Sequence, residues 1–385
     1  MPTDLTLRGE LADTSIPAID TPAELALRFN GTASEYFRIW AVNLCLTLLT
    51  FGVFSAWAKV RKKRYFYSHT TLDSTPFQYL AQPLPILKGR LVAVVLFAAW
   101  YVGSHFFTTL IPYLLALGAV IAPWMVVRSA AFNARYSAYR NMTFRFDSRY
   151  WDAAKAVYGW QGIVVGVLIA GFIFQKNNTG AATFMPIVFV IGMVALVLGT
   201  SFAWWIRRLK SYLVSRSSFG GKAGEFAATG GQFFKIYFMG GLIMTLAGII
   251  GGGLGGALTI AMKPGLSQMA LLLIPIYAGY VFAYGFVQAN TGNLVWNSIS
   301  LGPLRFKSTL KGSELAMLYL TNALAILGSL GLLIPWAVIR TLRYRAEHMQ
   351  VFNDGGLHAF RGQDQTAVQA AGAEVGEFFD LDVSL

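Results

Sequence analysis

Charge is scarce in this chain. Only 13% of its 385 residues are Asp, Glu, Lys or Arg, where a soluble domain carries roughly 25%. None of the four occurs between Arg90 and Arg128, between Lys263 and Arg305, or between Glu314 and Arg340. Hydrophobic residues reach 55% and the mean hydropathy is +0.53. These values exclude the two or three soluble domains that the length would otherwise allow. They suit a bilayer core, which needs about 20 apolar residues per helix. Cysteine is nearly absent. Cys45 stands alone inside a hydrophobic segment, so no disulfide forms within the chain. The first 20 residues lack a basic stretch followed by an apolar core. They are not expected to be a cleavable signal peptide, and the first hydrophobic segment is expected to direct insertion.

Reactive constellations are missing too. The histidines, His69, His105, His348 and His358, stand at no metal-ligand spacing from one another, from cysteine or from a carboxylate. No Gly-x-Ser-x-Gly, P-loop or His-Glu-x-x-His pattern occurs. The run Gly251-Gly252-Gly253-Leu254-Gly255-Gly256 lies in an apolar stretch with no strand before it, which disqualifies it as a nucleotide loop. No catalytic residue, metal or cofactor is expected. An enzymatic reading would need a pocket that brings His69 against a carboxylate.

What remains is apolar segments and basic loops. Stretches free of Asp, Glu, Lys and Arg run from Ile39 to Ala58, Leu91 to Val127, Ala156 to Gln175, Asn177 to Ile206, Ile236 to Met262, Pro264 to Leu304 and Leu315 to Ile339. The second is long enough for two helices with a break near Pro112. The expected class is therefore an all-α polytopic membrane protein of six to eight hydrophobic helical segments, with short cytoplasmic β-hairpins and internal repeats. Alternate loops carry twenty-two Lys and Arg, against Lys176 and Lys263 in the others. That asymmetry places the long basic loops on the cytoplasmic side of a bacterial inner membrane. It also explains the net charge of +13 without nucleic acid as a partner. Two topologies fit. Either all eight segments cross, or the first and last re-enter, with breaks at Gly52 and Gly331. The second keeps Arg340, Arg343 and Arg345 with the other basic clusters.

The basic loops resemble one another. Trp57, Trp124, Trp204 and Trp336 each precede an arginine by four residues: Arg61, Arg128, Arg208 and Arg340. The loop from Val287 to Phe306 is a degenerate copy without the arginine. The repeated unit reads as a short strand, one or two helices and a Trp-x-x-x-Arg exit. The tryptophans suit a membrane interface, and the arginines, one turn on, suit phosphate headgroups of anionic lipid. β-Hairpins are expected at Tyr65 to Leu72 with Phe77 to Tyr79, Tyr136 to Asn141 with Thr143 to Phe146, and Val295 to Leu301 with Leu304 to Phe306. Gly248, Gly252 and Gly256 recur every four residues, a pattern for close helix packing or self-association. Gln288, Asn290 and Asn293 are the candidates for a polar path. Asn43 and Asn322 hold matching positions in the end copies, which points to a shared structural role. Residues 1–22 and 362–385 are expected to be disordered tails, the second acidic, around a repeat-built domain of residues 23–361.

The segment from Asn43 to Tyr65, and its closing copy from Asn322 to Tyr344, resemble the YjgN-like family of bacterial inner-membrane proteins. The likeness runs from Leu25 to Phe360. Some members show Tyr-Arg-Pro-Trp where this chain has Phe54-Ser55-Ala56-Trp57. The resemblance implies a bacterial inner membrane and a polytopic fold, and it supplies no substrate or catalytic residue. The leading expectation is a non-enzymatic lipid-interacting or scaffold membrane protein. The alternative is an uncoupled transporter or channel for a small solute.

Overall fold

Four times in the chain a helix runs into a three-residue strand, a two-residue turn and a five-residue strand. In the computed structural model these hairpins are β3 (Thr70–Leu72) with β4 (Thr75–Tyr79), β5 (Ser137–Tyr139) with β6 (Met142–Phe146), β7 (Ser217–Phe219) with β8 (Lys222–Phe226), and β9 (Ile299–Leu301) with β10 (Leu304–Ser308). The structure describes residues 23–107, 111–164, 166–167, 171, 184–261 and 266–354. Tight two-residue hairpins need left-handed backbone in the turn, because that twist matches the strands. Asp73 and Ser74, Arg140 and Asn141, and Gly220 and Gly221 all supply positive φ.

The chain ends make the fifth hairpin. β11 (Met349–Asn353) pairs with β1 (Ala23–Leu25), which continues past Ala26 as β2 (Leu27–Phe29) against β3. The sheet order β1-β11-β10-β9-β8-β7-β6-β5-β4-β3-β2 thus begins and ends on one segment of chain, and the antiparallel sheet is a nearly closed barrel. Leu25, Leu72, Tyr139, Phe219, Leu304 and Val351 form a single buried cluster. They come from strands all around the ring, so they meet inside it. Phe77, Phe144 and Phe306 add to the plug. Alternate residues, among them Arg28, Gln78, Arg145, Glu225 and Lys307, point outward and are exposed. The barrel is packed within and polar without.

β2, β4, β6, β8 and β10 each lead into a helix, and every returning helix leads into a short strand or β11. The helices are α1 (Ala33–Leu49), α2 (Ser55–His69), α3 (Pro83–Phe106), α4 (Ile111–Tyr136), α5 (Tyr150–Val157), α6 (Phe184–Ser215), α7 (Gly230–Ala261), α8 (Leu266–Asn297), α9 (Gly312–Gly328) and α10 (Ile334–Glu347). Five repeated units therefore stand on one barrel, and the basic clusters gather where the returning helices meet it. In the first and last units the helix pair is a short hairpin. Phe51 and Gly52 turn α1 into α2, and Leu330 and Gly331 turn α9 into α10, all at positive φ. The Gly52 N–H closes onto the Thr47 carbonyl and the Gly331 N–H onto that of Ile326, both at 2.8 Å, as in a Schellman helix end. The breaks lie where the two glycines place them in the sequence. Both tips are bare hydrocarbon: Phe51 is 98% exposed and Leu330 95%.

Two expectations fall here. The class is not all-α, because eleven strands form the barrel. The expected β-hairpins are present, but strands of three and five residues carry too little alternation to announce that they close into a barrel. Nor do the described residues hold six to eight crossing segments. Among the described residues three helical stretches are long and apolar enough to cross a membrane: Pro83–Phe106, Ala116–Tyr136 and Gly230–Leu254. The terminal charge-free runs are cut into helices of 17 and 15 residues, and of 17 and 14, below the roughly 20 that a crossing needs. The hairpin boundaries move as well. Tyr65–His69 and Val295–Asn297 finish helices rather than start strands. The proposed tails, part of the stretch from Ala156 to Gln175, Lys176, Lys263 and His358 lie outside the described residues.

Candidate functional site

Each returning helix places one residue nine positions ahead of its strand. That residue is Arg61 before β3, Arg128 before β5, Arg208 before β7 and Arg340 before β11. The common spacing sets the four guanidiniums in a collar where helices meet barrel. Aromatic rings support three of them. Arg128 lies 5.9 Å from the Trp124 ring centroid and Arg340 5.1 Å from that of Trp336, while Arg61 lies 5.7 Å from Phe54, which stacks on Trp57. Trp204 packs against Phe234 instead.

Three of the arginines share a second partner, and it is a neutral one. Arg61 donates to Asn43 Oδ1 at 3.4 Å, Arg340 to Asn322 Oδ1 at 3.1 Å, and Arg208 to Gln161 Oε1. These amides are buried, and each donates back to the returning helix of its unit, to the carbonyls of Ala58, Ala337 and Ser201. Asn43 and Asn322 thus have the shared structural role that their matching positions suggested. In the fourth unit Asn290 takes the arginine's place, nine residues ahead of β9, and donates to its own helix at Phe286. Among the described residues no carboxylate lies within ion-pairing distance of the four collar arginines. Buried Nε atoms of Arg128 and Arg208 have no hydrogen-bond partner. Amides orient a guanidinium but do not cancel its charge.

A second constellation, missed in the sequence, ties the short hairpins to the barrel. Tyr65 donates to Glu35 Oε2 at 3.1 Å, His69 Nε2 lies 3.8 Å from the same oxygen, and His69 Nδ1 is 2.8 Å from the Tyr65 carbonyl. Tyr344, Glu314 and His348 repeat all three distances. The third unit has Arg216 where the others have histidine, paired with Asp152 at 2.6 Å. The second has Phe132 and Tyr136, ring on ring at 4.6 Å. Recurrence of Glu, Tyr and His at the spacing of the Asn43 and Asn322 copies was the available signal. His69 does meet a carboxylate, but Glu35 and the Tyr65 hydroxyl are already bonded to one another and to Thr32.

Hydrogen bonds from Thr32 and Tyr65 hold the Glu35 carboxyl below its ordinary range, and those from Lys311 and Tyr344 do the same for Glu314. A depressed carboxylate contributes stability above its unfolded pKa and loses it as pH falls through the folded value. Hydrogen-exchange protection in the first turns of α1 and α9, taken relative to the intrinsic exchange rate at each pH, should therefore fall as pH drops below the usual carboxylate range. Glu35→Gln with Glu314→Gln should flatten that dependence.

The side chains of the candidate polar path are taken up by bonds to neighbouring groups. Asn293 donates to the Leu310 carbonyl at 2.8 Å and accepts from Ser308 Oγ and the Leu310 N–H, clamping α8 to the β10–α9 junction. Asn290 donates back to the Phe286 carbonyl within its own helix, and Gln288 bonds Tyr284. The glycine stripe also sits apart. Among the described residues a Cβ at Gly248, Gly252 or Gly256 meets no atom within 4 Å. Close approach occurs at Gly240 against Val287, Gly279 against Ala247, and Gly285 against Ala316. At Gly285 the added atom would lie 2.6 Å from Ala316 backbone. Gly285→Val should cost about 1–3 kcal/mol by overpacking. Gly252→Ala should be neutral or stabilise by up to about 1 kcal/mol through helix propensity. Thermal unfolding in detergent compares the two.

The first and last units touch across the barrel's closing strand and leave a cleft of about 670 Å³ between the start of α1 and the faces of α9 and α10. Trp336 and Arg340 line it.

From β1 to beyond β11, residues 24–378 match the family described as bacterial protein of unknown function (DUF898). The chain belongs to that family. Among DUF898 relatives, the inner membrane protein YjgN of Salmonella typhimurium is 22% identical over 361 residues, covering 85% of this chain and 88% of the relative. Inner membrane protein YjgN of Escherichia coli O157:H7 is 25% identical over 219 residues, 53% of this chain and 52% of its own. The resemblance read from Asn43 to Tyr65 is borne out. No solved structure matches this DUF898 chain. With relatives named as inner membrane proteins and three helical stretches fit to cross, this is a membrane protein.

Proposed function

We propose that the protein is a non-enzymatic membrane module that holds phospholipid headgroups on its arginine collar, with the barrel in the cytoplasm and the helices in the inner membrane. One observation carries the reading: four guanidiniums at one level are steadied by rings and neutral amides, with no carboxylate paired to them among the described residues. Phosphate is the counter-charge such forks accept, often through two parallel hydrogen bonds. The exposed tips support the same placement. From Arg61 back to the start of α2 is about 10 Å of helix at 1.5 Å per residue. Phe51 and Leu330 then reach toward mid-bilayer, half of a hydrocarbon core about 30 Å thick. The polar barrel exterior belongs in water, and the basic clusters put that water on the cytoplasmic side.

Transport would need a polar passage. The barrel is plugged by its apolar cluster, Asn290 spends its side chain on its own helix and Asn293 on the β10–α9 junction, so the lipid reading is the better supported. The test is phospholipid retained after purification in mild detergent. Arg61, Arg128, Arg208 and Arg340 changed together to Gln should strip most of the anionic phospholipid that the unaltered protein keeps. Equal retention by a folded variant would overturn the proposal.

A further inference from the structure

We propose that the cleft between the first and last units seats one phospholipid whose headgroup carries an amine beyond its phosphate, as an ethanolamine headgroup does. This rests on the collar reading and goes further, since it assigns one site and one headgroup chemistry. Of the residues that α10 contributes, Trp336, Arg340, Arg343 and Glu347 recur at intervals of three or four and share one helix face. From tip to barrel that face runs apolar, cationic, anionic. Trp336 and Ile339, with Met317 and Leu318 from α9, wall the end nearer the hydrocarbon. Arg340 and Arg343 follow, then Glu347, with Glu314 of α9 on the same lining.

A glycerophospholipid shows the same order: acyl chain, phosphate, amine. Arg340 bonds Thr321 and Asn322, and Arg343 bonds the Gly31 carbonyl at 3.2 Å, so both meet neutral acceptors and keep their charge. The opposite wall is the N-terminus of α1 at Thr32 and Ala33, whose helix dipole also favours phosphate. One helical turn separates Arg343 from Glu347, a step that a two-carbon spacer between phosphate and amine can bridge. Glu314 is already bonded to Lys311 and Tyr344, while Glu347 is exposed and has no ion pair among the described residues. Glu347 is therefore the carboxylate that meets the amine. The apolar wall continues into the bare tip at Leu330, which favours a lipid over a soluble phosphate.

The test titrates full-length protein in mild detergent with phosphatidylethanolamine, phosphatidylglycerol, phosphatidylcholine and soluble glycerophosphoethanolamine, counting bound molecules by native mass spectrometry. One equivalent of phosphatidylethanolamine should be held above the rest. Glu347→Gln should cut its advantage over phosphatidylglycerol by roughly tenfold or more, the size of a charge-assisted hydrogen bond. Arg343→Gln should weaken every phospholipid at this site. Both side chains are exposed, so folding survives the changes. A preference for phosphatidylethanolamine that ignores Glu347, or none at all, would overturn this inference and leave the collar reading standing. Binding of glycerophosphoethanolamine as tight as that of the lipid would overturn the lipid assignment. A quadruple collar variant that retains all its lipid would instead overturn the collar reading.

Discussion

Val351→Asp should open the barrel, at a cost of about 4 kcal/mol or more. Val351 is 2% exposed and sits in the interior cluster. It also pairs with Leu25 on one side and Phe306 on the other, so it joins the two ends of the chain. A carboxylate there would lose apolar contacts and find neither water nor a cation. The neighbouring Gln350 lies on the other face, half-buried beside the exposed Lys307. Gln350→Asp should stay within about 0.5 kcal/mol of the unaltered protein. Thermal unfolding in detergent, with proteolysis of β1 and β11 as a second readout, separates the two. Equal behaviour of both variants would mean that the cluster does not fill the barrel.

The second large effect is a non-additive one. Asn322→Leu should destabilise by about 1–3 kcal/mol, because it leaves the Arg340 guanidinium facing hydrocarbon where an amide oxygen stood. Adding Arg340→Met should restore much of that loss, since an unmade buried bond costs more than a bond that neither partner requires. The double-mutant cycle should therefore show coupling of about 0.5–3 kcal/mol. Repeats within the chain run a similar experiment. The fourth unit, with Asn290 in place of the arginine, has Gly240 facing the returning helix at Val287 and no buried amide pair. Additive effects in the cycle would mean that the buried amides do not serve the arginines.

Part of this organisation was legible because the repeat is marked by its most conspicuous residues. Trp57, Trp124, Trp204 and Trp336 with their arginines fix four returning helices, and Gly52 and Gly331 locate the terminal turns. The degenerate copy around Asn290 is a true unit, the fourth along the chain. The barrel was not legible. Its closing strands β1 and β2 have three residues each, and β1 pairs with β11, more than three hundred residues away. A pairing so short and so distant has no local sequence signal. Hydrophobicity alone also miscounted crossings, since a charge-free run cannot report that a left-handed turn folds it in half. The Glu35, Tyr65 and His69 constellation escaped for a similar reason: its members lie thirty residues apart and meet only when the hairpin closes. Glycine spacing pointed to Gly248, Gly252 and Gly256, whereas contact depends on which face meets a neighbour, and that is decided at Gly240, Gly279 and Gly285.

The chain carries its own depth probe. Cys45 is its single cysteine, exposed near the tip of the first short hairpin. A nitroxide attached there, in protein reconstituted into bilayers, should relax readily with dissolved oxygen and hardly at all with a water-soluble nickel chelate, as a group in hydrocarbon does. Strong nickel relaxation with little oxygen effect would place the tip in water and contradict the seating of the arginine collar among phosphates.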